Sequence, residues 1–165
     1  MNEPKYIIVH HTADGSAGPQ LNKVNEYHKY REFPKSSRGF FVGYHYFIEK
    51  DGAVIQARED TDEGAHCKGY NFVSIGIGLA GNFDFEMPTA KQIYALGSLI
   101  ATLCEKYKIK LEDIVPHRTF ANTSCYGTRL SGSWARAVYK DYFLGAIGRL
   151  LIKIKELLEL LKSHD

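Results

Sequence analysis

KYIIVHHTAD, residues 5–14, carries four apolar residues, Tyr6 to Val9, straight into two adjacent histidines, His10 and His11. β-Branched and aromatic residues bounded by DGSAGP (14–19) predict a buried strand that ends in a turn. Successive side chains on a strand point to opposite faces. One strand therefore cannot aim both imidazoles at a single target, unless it is already turning at His11.

The rest of the chain supplies neighbours for that strand. Pro19 opens a helix expected to run to about Arg31, with Leu21, Val24 and His28 on one face. Phe41 to Glu49 and Ala53 to Ala57 read as two strands joined by Lys50-Asp51-Gly52, a hairpin. Thr61 to Asn71 is loop-like, and Val73 to Leu79 is a further strand broken by Gly76 and Gly78. From Thr89 to about Tyr107, Ile93, Leu96, Ile100, Leu103 and Cys104 follow helical spacing, with Pro88 and Thr89 as the start signal. Leu111 to Asp113 is a turn, and IVPHR (114–118) leads into a second polar loop. From about Tyr139, residues Ile147, Leu150, Leu151, Ile154, Leu157, Leu158 and Leu161 line one side of a long amphipathic helix of roughly 30 Å. The predicted fold is α/β: a single mixed central sheet flanked by helices, plus that C-terminal helix. Residues 1–138 form the expected main domain and 139–165 an extension.

The chain has 165 residues and a formal net charge of +2. Its length suits one domain with a sizeable core, and its charge does not argue for nucleic acid. The start, MNEPKYIIV, lacks the longer apolar run of a secretory signal, so synthesis in the cytoplasm is expected. The charges of the last helix exclude a simple membrane span. Three cysteines without a CxxC pair do not suggest a disulfide framework. Cys104 falls on the apolar face of a helix. Cys67 and Cys125 sit in polar sequence beside histidines, where a thiol is often a ligand or reactive group.

His10, His11, His28, His45, His66, His117, Cys67 and Cys125 are the candidate metal ligands. His28 reads as a packed core histidine, and His164 as a solvated one near the end of the chain. His117 and Cys125 stand out because the segment between them, RTFANTS, is polar and turn-forming and can fold back. His10, on a rigid strand, adds a third donor. Two nitrogens and one sulfur suit zinc, and three protein ligands leave a fourth position for water. On spacing alone the opposite reading stands level with it: His117 closes a loop and Cys125 is simply buried.

VHHTA, VGYHYFIEKDG, GAHCKGYN, SIGIGLAGNF and PHRTFANTSC occur in this order. Together, over about Lys5 to Trp134, they resemble the zinc-dependent N-acetylmuramoyl-L-alanine amidases, which include phage endolysins and peptidoglycan recognition proteins. The resemblance implies one catalytic Zn2+ held by His10, His117 and Cys125. It implies Tyr44 and Thr123 as catalytic residues, and His66 and Asn71 as residues lining the substrate groove. The implied reaction is hydrolysis of the amide between N-acetylmuramic acid and L-alanine, in peptidoglycan or a soluble muropeptide. Two departures stand out. Relatives continue the cysteine as CPG where this chain has Cys125-Tyr126-Gly127, which loosens the expected loop. Some carry a glutamate where this chain has Gly78.

The resemblance selects His10 as ligand and leaves His11 a supporting or structural role. Cys67, in the groove loop, is a reactive thiol or an inert small residue, and the inert reading is the safer. Non-catalytic relatives lack the zinc cysteine, so Cys125 argues for an enzyme over a peptidoglycan-binding module. A purely structural zinc site would need a fourth protein ligand, for which His11 is the one candidate. A phage endolysin that reaches the wall after release is the expected setting; a cytoplasmic amidase recycling muropeptides is the alternative. The helix at 143–162 is expected to pack, to pair with a second copy or to touch a membrane. Its near balance of basic and acidic residues favours packing or self-association.

Overall fold

The computed structural model describes residues 3–162, with side-chain surroundings through residue 158; His164 lies outside the described residues. In chain order the elements are β1 (Tyr6–His11), α1 (Leu21–Tyr30), β2 (Tyr46–Ile48), β3 (Val54–Gln56), β4 (Ser74–Leu79), α2 (Ala90–Tyr107), β5 (Ile114–Pro116) and α3 (Trp134–Lys162). Single 3-10 turns at Leu111–Asp113 and His117–Thr119 bracket β5. One mixed sheet has the order β3-β2-β4-β1-β5, parallel except for the antiparallel edge strand β3.

β1 lies inside this sheet, paired along its length with β4 and from Ile7 to Val9 with β5. A parallel strand covered on both faces must be apolar throughout, and Ile7, Ile8 and Val9 are fully buried. Ile7 and Val9 join the main core with Ile75, Ile77, Leu96 and Ile100. Ile8 points the other way, into a smaller cluster with Cys67 and Val115. Cys67 is thus packing, with its thiol pushed up by burial; the sequence association with a ligand or reactive thiol does not hold there.

α2 lies against the sheet as its spacing predicts. Thr89 accepts from the Gln92 N–H while the Gln92 side chain accepts from the Thr89 N–H, a reciprocal cap. The first residues of α3 dock on α2, with Ala135 and Val138 buried and the Tyr142 hydroxyl donating to Ser98 Oγ at 3.2 Å. This helix begins at Trp134, five residues before the expected start, because the Ser131 and Ser133 carbonyls accept its first N–H donors. Beyond Tyr142 it leaves the domain: Phe143, Leu144, Ile147, Leu150, Leu151, Ile152, Ile154, Leu157 and Leu158 are exposed. Packing of that stretch on its own domain, one of the expected outcomes, is not what is found.

The helix expected from Pro19 and the strand expected from Phe41 are shorter than predicted. α1 starts at Leu21, not Pro19, because its cap comes from afar: the Glu49 carboxylate accepts the N–H groups of Gln20 (2.9 Å) and Leu21 (2.7 Å). An anionic group there also suits the positive end of the helix. The strand predicted over Phe41 to Glu49 shrinks to Tyr46–Ile48. Its early backbone donors are claimed by α1 side chains, Phe41 N–H by Asn25 Oδ1 at 2.7 Å and Gly43 N–H by His28 Nδ1 at 3.0 Å. Those groups are lost to a sheet ladder.

Asp60, buried, ties the far end of α2 to the hairpin. It accepts from the hydroxyls of Tyr46 and Tyr107, each at 2.6 Å, and from Lys106 Nζ at 2.8 Å. Hydrogen bonds to a charged acceptor contribute about 1.5–3 kcal/mol each, and truncation leaves two half-buried tyrosine hydroxyls without this acceptor. Asp60→Ala should therefore lower the unfolding free energy by about 2–3 kcal/mol in urea titrations; a loss under ~0.5 kcal/mol would contradict the assigned role.

Candidate metal centre

The carboxyl ends of parallel strands are where open α/β sheets hold ligands. His10, the last residue but one of β1, lies there opposite Gly78 of β4, and β5 ends one residue before His117. Alternation then sorts the doublet. His10 falls on the face of Ile8, and its ring lies 4.5 Å from that of His117, 5.0 Å from Tyr44 and 5.1 Å from His66. His11 falls on the face of Val9, against Phe83, whose N–H donates to His11 Nδ1 at 3.0 Å. The His11 imidazole is structural. Its backbone N–H has a second task, donating toward the Cys125 sulfur and holding that thiol down against the opposing effect of burial.

His10, His117 and Cys125 offer donor atoms that all lie within 4.8 Å of one another. His10 Nδ1 and Cys125 Sγ are 3.7 Å apart. Metal–nitrogen bonds of about 2.0–2.1 Å and metal–sulfur bonds of about 2.3 Å, at a tetrahedral angle, require roughly 3.6 Å between N and S. The His10–Cys125 pair therefore already stands near the separation that a four-coordinate ion demands, with the His117 donor within 4.8 Å of both. His11 is turned away, so a closed site with His11 as fourth ligand is not formed.

The loop that carries Cys125 is tied down on several sides. Arg118 donates its N–H to the Cys125 carbonyl at 2.9 Å, and its guanidinium donates to the carbonyls of Gly127 (2.7 Å) and Leu130 (2.6 Å). Thr123 Oγ1 accepts the Cys125 N–H at 3.2 Å, and Thr123 is itself exposed. Tyr126 is fully buried and donates to the Ser131 carbonyl at 3.0 Å. The expected loosening without a proline does not occur, because a large apolar side chain anchors the loop in the core. Arg118 was not singled out from sequence; an arginine directly after a candidate ligand was the available signal.

Tyr44 sits on irregular backbone, not on a strand, with its ring lying over Gly78. A methyl group at residue 78 would overlap the Tyr44 ring. This explains the missing glutamate: that space belongs to the tyrosine. Burial, then the nearby Cys125, raises the Tyr44 phenol above its ordinary range and keeps it protonated at neutral pH. His66 is buried, with Nδ1 3.0 Å from His10 Nε2 and Nε2 3.4 Å from Ser74 Oγ. Asn71 Oδ1 accepts the N–H groups of His66 (2.9 Å) and Cys67 (2.8 Å) and so sets the His66 loop. Asn71 also borders a cleft of about 420 Å³ with Ser37, Arg58 and Gly64.

Burial holds the imidazoles of His10 and His66 well below the usual range; it also lowers His11, His45 and His117, and brings His28 to about 4. His28 has Phe33 stacked on it at 4.5 Å and accepts from Gly43, the packed role expected of it. Burial pushes the Cys125 thiol up to about 11.

A profile described as N-acetylmuramoyl-L-alanine amidase matches residues 1–128. The chain is 34% identical over 111 residues to an endolysin of Enterobacteria phage T3, covering 64% of this chain and 72% of that protein. It is 31% identical over 134 residues to peptidoglycan-recognition protein 2 of Holotrichia diomphalia, 76% of this chain and 68% of the relative. Among solved structures, N-acetylmuramoyl-L-alanine amidase LysC from Clostridium intestinale URNW superposes with a TM-score of 0.71 at 33% identity, over 82% of this chain and 85% of that one.

Six histidines with folded-state values below the unfolded one make the metal-free protein acid-sensitive. As pH falls through about 6.5 the unfolded chain takes up protons that the native imidazoles refuse, so their stabilisation is complete above that pH and lost below it. Each contributes up to about 1.4 kcal/mol per pH unit. The urea midpoint of metal-free protein should drop clearly between pH 7.5 and 5.5, and an unchanged midpoint would contradict these environments.

Proposed function

The chain belongs to the N-acetylmuramoyl-L-alanine amidase family, and from that membership we propose that it is a zinc hydrolase cleaving the amide between N-acetylmuramic acid and L-alanine of peptidoglycan. The observation that carries the proposal is the His10–His117–Cys125 group, whose N···S separation of 3.7 Å suits a tetrahedral ion. Zinc held by His10, His117 and Cys125 would supply a water acidified to near neutrality and Lewis-acid polarisation of the scissile carbonyl.

The remaining roles belong to the chain itself. Tyr44, protonated and close to His10, donates to the carbonyl oxygen as negative charge develops on it. Thr123 acts by position: its hydroxyl holds the Cys125 backbone, and as an exposed residue beside the site it is placed to hydrogen-bond substrate. The loop of His66 and Asn71, whose His66 ring contacts that of His10, is assigned to a wall of the proposed groove. Identity to a phage endolysin supports host lysis as the setting, with the enzyme acting on the wall after release from the cytoplasm. A receptor that binds walls without cleaving them has no use for a thiol grouped with two imidazoles whose donors lie within 4.8 Å of one another, and this disfavours the binding-module reading.

Residues 1–138 would then carry the chemistry and 139–165 an accessory. We assign the accessory to pairing with a second copy. Phe143, Ile147, Leu150, Ile154 and Leu157 follow 4-3-4-3 spacing, which gives Ile at one heptad core position and Leu or Phe at the other. That choice favours two parallel strands. All five are exposed, while Arg149, Lys153, Lys155 and Glu156 lie off the seam.

Two outcomes follow. Cys125→Ala should lose bound zinc and stop releasing free amino groups from purified sacculi while keeping its far-ultraviolet circular dichroism; cleavage at the parent rate would refute the site. For the accessory, light scattering should give twice the chain mass at high concentration. Leu150→Lys with Leu157→Lys should return the mass to that of one chain, and a parent protein of single-chain mass at every concentration would refute pairing.

A further inference from the structure

Behind His10 lies a hydrogen-bonded chain that the proposed reaction does not call upon. His10 Nε2 meets His66 Nδ1 at 3.0 Å, His66 Nε2 meets Ser74 Oγ at 3.4 Å, and Ser74 Oγ donates to the Tyr70 carbonyl at 2.7 Å. The direction of the chain follows from its far end. A serine hydroxyl has one proton, and the short contact to the Tyr70 carbonyl, which can only accept, takes it. Ser74 Oγ therefore faces His66 as an acceptor. His66 must carry its proton on Nε2 and present a bare Nδ1 to His10. His10 must then carry its own proton on Nε2, which leaves the lone pair of Nδ1 free, and Nδ1 is the atom 3.7 Å from Cys125 Sγ. The opposite direction would set two lone pairs against each other at Ser74. It would also put a proton on His10 Nδ1, where a metal has to bind.

The His66 ring sits in a slot that only glycines allow. A Cβ built at Gly64 would lie 2.5 Å from His66 Cδ2, and one built at Gly76 would lie 2.5 Å from the same atom. A side chain at either position would overlap the ring. Asn71 holds the His66 backbone from the other side.

We infer that His66, oriented by Ser74, is a positioning residue that locks His10 in the Nε2–H tautomer and so aims its Nδ1 lone pair into the metal site. Histidine ligands commonly have their second nitrogen fixed by a carboxylate or carbonyl. Here an imidazole does it, and its own tautomer is fixed one step further out. The arrangement of protons exists without any ion. Only its consequence for affinity rests on the zinc reading.

Long-range proton–nitrogen correlation spectra of the metal-free protein at neutral pH test the lock directly. His10 should show a protonated Nε2 and a bare Nδ1; a His10 with its proton on Nδ1 overturns the inference. Variants test the consequence. His66→Phe keeps the bulk but loses the acceptor, and zinc affinity measured against a competing chelator should fall ~10–100-fold. His66→Asn places an amide oxygen near the former Nδ1 and should restore most of that loss. Equal loss in both variants overturns the inference in favour of simple packing. A parent protein that shows the Nε2–H form of His10 yet binds no zinc supports the lock and refutes the metal reading instead. If His66→Phe does not fold, the spectra of the parent protein and the His66→Asn affinity still decide.

Discussion

Side-chain alternation along a strand buried on both faces is the constraint from which this site is built. β1 is enclosed by β4 and β5, so each successive residue goes to one face or the other with no freedom to drift. Ile7, Val9 and His11 face the core under α2, and Ile8 and His10 face the loops. A histidine doublet there becomes two residues in different environments. His10 joins His117, Tyr44 and His66, while His11 receives the Phe83 N–H. The backbone of His11 still reaches the cysteine that the side chain of His10 faces. One dipeptide thereby serves the candidate metal centre from two directions.

Glycine is the second material of the site. Gly78 leaves room for the Tyr44 ring, and Gly64 and Gly76 leave room for that of His66. Side chains absent from β4 at Gly76 and Gly78 are what allow an imidazole and an aromatic ring to lie against the strand. The cost of glycine in a strand is offset where the space is filled by a functional ring.

The parts legible in the sequence are those set by local pattern. The helical spacing and Thr89–Gln92 cap of α2, the hairpin turn at Asp51-Gly52 and the apolar run of β1 were readable because neighbouring residues decide them. The three candidate ligands were suggestive from residue type and became specific through the resemblance of five ordered segments. What could not be read is set by partners far apart in the chain. The irregular backbone of Tyr44 depends on Asn25 and His28 claiming N–H groups of Phe41 and Gly43. The start of α1 depends on Glu49. The tautomer of His10 depends on Ser74, two hydrogen bonds away. Tyr126 in place of proline looked like a loss of rigidity and proves to be an anchor, because only the fold shows where its ring is buried.

X-ray absorption at the zinc edge of the purified, zinc-loaded protein tests the account most directly, since it reads donor atoms without reference to activity. One sulfur at about 2.3 Å and three nitrogen or oxygen donors at about 2.0–2.1 Å are the predicted result. A first shell with no sulfur, or with two, would contradict a centre made of His10, His117 and Cys125.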